Sequence, residues 1–89
     1  MRVVLDGKRL ENAAAVYRAL APAIGFPPYF GGNPDALWDI LTERRRADLK
    51  IVWCHAARSA ARLGTDYQRL VSVLRAAAAA GLLSFEIRL

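Results

Sequence analysis

The sequence has little of what covalent or metal-based stabilisation requires. It contains a single cysteine, Cys54, and a single histidine, His55, among 89 residues. One cysteine cannot form an internal disulfide, and it cannot by itself build a cysteine-based zinc site. A small domain of this kind depends on packing alone, so we expect a reducing, cytoplasmic location.

Long apolar runs are also missing. No stretch of about 18 apolar residues occurs, so the sequence predicts neither a transmembrane span nor a membrane partner. Met1–Gly7 does not resemble a signal peptide, because Asp6 and Gly7 interrupt it before an apolar run develops. With 55% apolar and 24% charged residues, the composition is typical of one globular domain spanning residues 1–89.

The usual motifs of catalysis and cofactor binding are absent. There is no second histidine for a metal site, no convincing Ser-His-Asp set, and no glycine-rich phosphate loop. Cys54 and His55 are neighbours on a predicted strand, so their side chains point to opposite sides. We interpret Cys54 as a small buried apolar residue and His55 as a loop-end residue, and we expect no enzyme activity, cofactor or metal.

The hydrophobic periodicity alternates between strand and helix patterns. It predicts strands at Met1–Asp6, Leu49–His55 and Leu83–Leu89, and helices at Asn12–Gly25, Asn33–Arg44, Ala56–Leu63 and Thr65–Gly81. Strands separated by helices pair in parallel through right-handed crossovers. We therefore predict an α/β fold with a three-stranded parallel sheet and about four helices, in which the central strand is covered on both faces.

Local signals refine the helix ends. Asn12 and Asn33 are predicted N-caps, whereas Thr65 and Gln68 have the spacing of a capping box. Pro22 lies inside the first helical pattern and lacks a backbone donor, so we expect a distorted or non-α last turn there.

The second helix carries the most informative pattern. Asp35 and Asp39 are spaced i, i+4 nearly opposite its apolar side, Glu43 continues their stripe, and Trp38 lies on its rim. Two like charges at this spacing destabilise a helix by about 0.2–0.5 kcal/mol. The helix dipole accounts for Asp35 but not for Asp39. A solvated acidic face and a binding face therefore both remain open on spacing alone.

The distribution of charge narrows the choice of partner. The net charge is +5, yet residues 25–43, here called the acidic segment, carry −3 and the other seventy residues +8. The acidic segment would repel nucleic acid and attract a cationic protein pocket, so direct nucleic-acid binding is not expected. Arg44–Arg46 follow directly, and stabilisation of the helix C-terminus, contact with an acidic partner and RNA binding are all open for them.

One stretch of sequence resembles a known family. Tyr29-Phe30-Gly31, then Asn33, then Asp35-Ala36-Leu37-Trp38-Asp39 with Leu41, is similar to the signature of the barstar family of intracellular ribonuclease inhibitors. The order of predicted elements matches over nearly the whole chain. The resemblance implies a barstar-like fold and a stoichiometric inhibitor of a guanyl-preferring, extracellular-type microbial ribonuclease, from which it protects the producing cell.

The resemblance also implies roles for individual residues. Asp39 would mimic a substrate phosphate, Asp35 would engage neighbouring active-site groups, and Tyr29 would lie against the catalytic histidine. The complete set expected to contact the partner is Tyr29, Phe30, Gly31, Asn33, Asp35, Trp38, Asp39 and Glu43.

Some positions depart from the family pattern. Ala76 stands where the best-known member has a further interface acid, and Arg44 stands where it has Trp. That member is acidic and its target basic, the reverse of the balance found here, so we expect a target that is acidic or neutral overall with a cationic active site. The alternative is a barstar-fold module that binds another toxin nuclease, a regulatory protein, or RNA through its Arg-rich faces.

Overall fold

Strands and helices alternate along the chain in the computed structural model, which describes all 89 residues. In chain order the elements are β1 (Arg2–Asp6), α1 (Ala13–Ile24), α2 (Pro34–Arg44), β2 (Lys50–Cys54), α3 (Ala56–Leu63), α4 (Thr65–Ala79) and β3 (Ser84–Ile87). The strands form one sheet in the order β1-β2-β3, and both pairs are parallel. The predicted α/β fold with a three-stranded parallel sheet and four helices is confirmed.

The helices pack on one face of this sheet. Leu5, Trp53 and Ile87 are neighbours in the strand register, and the first two are fully buried in a core to which all four helices contribute. The indole Nε1 of Trp53 donates a 2.8 Å hydrogen bond to Oγ of the buried Ser59 in α3. Its ring meets Tyr67 of α4 edge-on at 5.1 Å, so one side chain of β2 joins two helices.

The other face of the sheet carries no helix, yet the central strand is buried on this face too, so the predicted covering of both its faces is confirmed. Val52 is fully buried as predicted, but it lies outside the core cluster. Its register neighbours on this face are Val4, which is half exposed, and Glu86, which is paired with Lys50 and Arg88. The hydrogen bond from Arg88 is the main reason why the pKa of Glu86 is lowered. Charged side chains, rather than a second helical layer, therefore flank Val52.

The predicted caps of the first two helices are confirmed, and that of the last is wrong. Oδ1 of Asn12 accepts a hydrogen bond from the backbone N–H of Ala15 at 2.9 Å, and α2 begins in the same way. The capping box does not form, because α4 starts at Thr65 itself and Gly64 is its N-cap without a side-chain bond. Only Gly64 separates α3 from α4, so Thr65 is already the first helical residue and does not precede the helix as a cap.

The last turn at Pro22, expected to be distorted or non-α, is not non-α, because α1 continues as an α-helix to Ile24. Pro22 and Arg18, whose carbonyl loses its helical donor, are both exposed. That carbonyl therefore lies on the solvated side, where bending of a helix is tolerated. Gly25 then ends the helix as predicted, with φ 74° and a 2.7 Å hydrogen bond from its N–H to the carbonyl of Ala21.

The turn after β1 passes very close to the start of α3. The N–H of Gly7 donates to the carbonyl of Cys54 at 2.8 Å. A Cβ atom at position 7 would lie 2.0 Å from the carbonyl oxygen of His55 and 2.9 Å from Oγ of Ser59. A side chain does not fit here, so glycine is required by space rather than by its backbone angles.

Candidate partner-binding site

The start of α2 sets the orientation of its acidic stripe. Oδ1 of Asn33 accepts a 2.8 Å hydrogen bond from the backbone N–H of Ala36, and Pro34 is the first helical residue, where its missing N–H has no cost. The buried side chains of Leu37 and Ile40 then fix the rotation of the helix against the core. This rotation turns Asp35 and Asp39 outward.

The acidic side chains of this stripe are exposed and unpaired. Asp35, Asp39 and Glu43 all lie on the surface, and none forms an ion pair with Lys or Arg. By contrast, Asp6 and Glu86 form ion pairs with nearby Lys or Arg side chains. Positive groups of a partner could therefore reach the α2 carboxylates without displacing an internal contact.

A tight turn presents Tyr29 beside the stripe. The N–H of Phe30 donates to the carbonyl of Pro27 at 3.0 Å, which closes a turn whose central residues are Pro28 and Tyr29. Proline in the first central position presets the backbone for such a turn. Tyr29 occupies the tip with 79% of its surface exposed, a large value for an aromatic side chain.

Aromatic packing holds this turn on the body of the protein. Phe30 and Phe26 stack with ring centroids 4.0 Å apart, and both meet Tyr17 of α1 edge-on. Tyr17 is buried, and this burial, with a smaller contribution from Asp66, raises its pKa. Phe30 thus supports the turn from inside, whereas Tyr29 faces outward.

Grooves flank Asp39 on both sides. A groove of about 280 Å³ lies between the loop and α2, lined by residues that include Tyr29, Gly31, Asp39 and Glu43. On the other side of the helix, a groove of about 790 Å³ separates α2 from α4. Asp39 therefore stands on a ridge from which its carboxylate can reach into either depression.

Arg44 connects the end of α2 to the start of the loop. Its Nη1 donates a hydrogen bond to the carbonyl of Gly25, at the C-terminus of α1. A guanidinium at this place is favoured by the negative end of the helix dipole. Of the interpretations open for Arg44, stabilisation of a helix C-terminus is therefore realised, although the helix is α1 rather than α2.

The structure brings all eight predicted residues to one side of the molecule, in the loop and α2. Tyr29, Gly31, Asn33, Asp35, Asp39 and Glu43 are exposed, and Phe30 and Trp38 are half-buried against the core. The family resemblance pointed to α4 only at Ala76, and the other α4 residues beside the acidic stripe could not be identified from the sequence. These residues, Gln68, Arg69, Ser72 and Val73, line the larger groove opposite Asp35 and Asp39. Only the packing of α2 against α4 reveals this wall.

Nothing in the structure suggests a metal centre or a membrane span. No three His, Cys, Asp or Glu side chains come together as candidate metal ligands. None of the helices combines the length and the apolar character needed to cross a bilayer.

Comparison with known proteins shows the family of the chain. The barstar family model, described as barstar (barnase inhibitor), matches residues 1–87. The chain belongs to the barstar family. A curated relative from Bacillus subtilis (strain 168), named "Putative ribonuclease inhibitor YrdF", is 42% identical over 41 residues. The matched stretch covers 46% of this chain and only 45% of that relative.

The departures from the barstar pattern can now be placed. Ala76 lies beside Asp35 and Trp38 in a groove of about 330 Å³ between α2 and α4, so this wall lacks an acidic side chain. Arg44 is occupied by its bond to Gly25. Both departures therefore border the barstar motif without altering the presentation of Asp35 and Asp39.

The two asparagine caps allow a matched test of the role of Asn33. Asn33→Ala and Asn12→Ala should each lower the free energy of unfolding by about 1 kcal/mol, since each removes one N-cap hydrogen bond. Only Asn33→Ala should also weaken the proposed ribonuclease inhibition, because only α2 carries the acidic stripe. Urea unfolding and inhibition titrations measure the two effects. Equal losses of inhibition in both variants would contradict a local role for Asn33.

Proposed function

We propose that this protein binds a guanyl-preferring microbial ribonuclease in a 1:1 complex and blocks its active site with α2 and the preceding loop. The observation that carries the proposal is the pair of exposed, unpaired carboxylates of Asp35 and Asp39, the second of which shares a groove with the exposed tip residue Tyr29. Membership of the barstar family supports ribonuclease inhibition in general.

Phosphate mimicry is the proposed chemistry of the contact. Ribonuclease active sites hold cationic groups for the phosphates of RNA, and a carboxylate accepts charge-assisted hydrogen bonds from the same Arg and His side chains. Asp39 is the proposed main mimic, with Asp35 on adjacent groups. Tyr29 would cover the catalytic histidine, and Trp38, Gly31 and Asn33 would pack around the contact.

The proposed partner has a cationic pocket on an acidic or neutral body. The −3 charge of the acidic segment favours a positive pocket, whereas the +8 carried by the rest of the chain would repel a strongly basic protein. The proposed role is protection of the producing cell, in its cytoplasm, until the nuclease is exported.

The proposal is tested by titrating the protein against a panel of guanyl-preferring microbial ribonucleases that differ in net charge. We expect stoichiometric loss of RNA cleavage for at least one acidic or neutral member. A preference for strongly basic nucleases would contradict the proposed charge of the partner. Full activity of every nuclease at excess protein would contradict inhibition itself and favour a barstar fold recruited to another target.

A further inference from the structure

The acidic stripe of α2 forms only one wall of the largest groove in the molecule. This groove, here called the α2–α4 groove, has a volume of about 790 Å³. Asp35 and Asp39 line it from α2, and Arg69 and Ser72 line it from α4. Any protein that covers the two carboxylates and fills this groove also meets the α4 wall.

The two walls carry opposite charges that do not neutralise each other. Arg69 is exposed and forms no ion pair with either Asp35 or Asp39. Asp66 lies three residues before Arg69 on α4, yet these two side chains are not paired either. The charge of Asp66 instead contributes to the raised pKa of Tyr17 on α1. The guanidinium of Arg69 is therefore available to an external group.

The remaining α4 residues of the wall have no negative charge that could compensate Arg69. Gln68, Ser72 and Val73 line the α2–α4 groove, and Ala76 lines its smaller continuation towards Trp38. Within this one depression, a partner thus meets carboxylates on the α2 wall and a single cation, Arg69, on the α4 wall. A lysine or arginine of the partner would be attracted by the first wall and repelled by the second.

We propose that Arg69 is a specificity-determining contact that selects ribonucleases with a carboxylate on the active-site rim facing α4. This inference rests on the proposed function, because docking of the cationic pocket on Asp35 and Asp39 brings the rim to α4. A rim Asp or Glu pairs with the guanidinium, whereas a rim Lys or Arg is rejected by like charge. Repulsion of wrong partners is a common source of specificity in protein interfaces.

The helix α3 provides a matched control. Arg62 is an exposed arginine that lines a separate groove together with Arg58, and neither borders the α2–α4 groove. Replacing Arg62 by glutamate changes the net charge of the protein by the same amount as replacing Arg69. The Arg62 variant therefore reports the long-range effect of charge alone.

The experiment measures association and dissociation rates with a panel ribonuclease that the unmodified protein inhibits, at low and at moderate salt. Arg69→Glu should raise the Kd at least about 10-fold more than Arg62→Glu, and part of this difference should persist at moderate salt. Replacing rim Asp and Glu residues of that nuclease by Lys, one at a time, should identify one change that restores binding to Arg69→Glu.

The possible outcomes separate this inference from the proposed function. Equal effects of Arg69→Glu and Arg62→Glu, or tighter binding by Arg69→Glu alone, would overturn the inference and leave inhibition intact. Absence of a rescuing rim substitution would overturn it as well. If the unmodified protein inhibits no ribonuclease of the panel, the proposed function fails first, and the inference fails with it.

Discussion

Replacement of Asp39 by alanine is expected to weaken the complex with the inhibited ribonuclease by about 2 kcal/mol or more, which is roughly 30-fold in Kd. The reason is that Asp39 stands on the ridge between two grooves and is the proposed acceptor for the cationic groups of the active site. Removing it would leave those desolvated cations of the nuclease without a partner. Titration of RNA cleavage at low enzyme concentration measures the change.

Asp48→Ala is the matched control for Asp39→Ala. Asp48 is also exposed and has no ion pair, but it lies in the turn before β2, outside the acidic segment. Its loss should change Kd by less than about 3-fold, through screened long-range attraction only. Comparable losses in both variants would show that net charge, and not the position of Asp39, drives binding. Under the RNA-binding alternative, Asp39→Ala would leave RNA affinity unchanged or improve it.

The same variant separates binding from stability. Asp39 has no intramolecular ion pair to lose, and alanine is a better helix former that also relieves repulsion from Asp35. The free energy of unfolding of Asp39→Ala should therefore stay unchanged or rise by up to about 1 kcal/mol. A substantial fall would mean that the loss of inhibition reports unfolding.

Gly7→Ala is expected to lower the free energy of unfolding by about 3 kcal/mol or more. The new Cβ would lie 2.0 Å from the carbonyl oxygen of His55, so the backbone of the β1 turn or the start of α3 must move. That movement disturbs the hydrogen bond from Gly7 to Cys54 at the end of the sheet. In a domain of this size the melting temperature should fall by roughly 12–24 °C.

Gly64→Ala is the comparison for Gly7→Ala. Gly64 has a positive φ of 57°, but a Cβ at this position would meet no atom within 4 Å. Its ψ of −124° lies outside the left-handed helical region, so the cost should be the conformational one alone, about 1–3 kcal/mol. Urea unfolding of both variants distinguishes the two causes. An equal or smaller loss for Gly7→Ala would contradict the close approach of the β1 turn to α3.

Local rules explain why much of the fold could be predicted from the sequence. The Asn caps at 12 and 33 and the stop at Gly25 depend on residues that are adjacent in the chain, and all three were predicted correctly. The capping box of Thr65 failed for a non-local reason. Whether Thr65 precedes the helix or begins it depends on how α3 ends at Gly64, which residue types do not specify.

The candidate site was predictable to a similar extent. The i, i+4 spacing of Asp35 and Asp39 is enough to place them on one face of α2. The sequence did not show that the adjacent aromatic residues Tyr29 and Phe30 have different environments. In the structure Tyr29 is exposed at the turn tip, whereas Phe30 stacks inside the turn. The proposed contact at Arg69 could not be predicted from the sequence either, because the α2–α4 groove arises from helix packing and not from periodicity along α4.

The unpaired state of the α2 carboxylates bears on how such a protein can evolve. Because Asp35 and Asp39 form no internal ion pair, their replacement does not leave a cation of the fold unsatisfied. Selection for a new partner and selection for a stable fold therefore act on different side chains. The outward face of α2 can follow changes in a target enzyme over generations, while Leu37, Ile40 and the Asn33 cap keep that face in position.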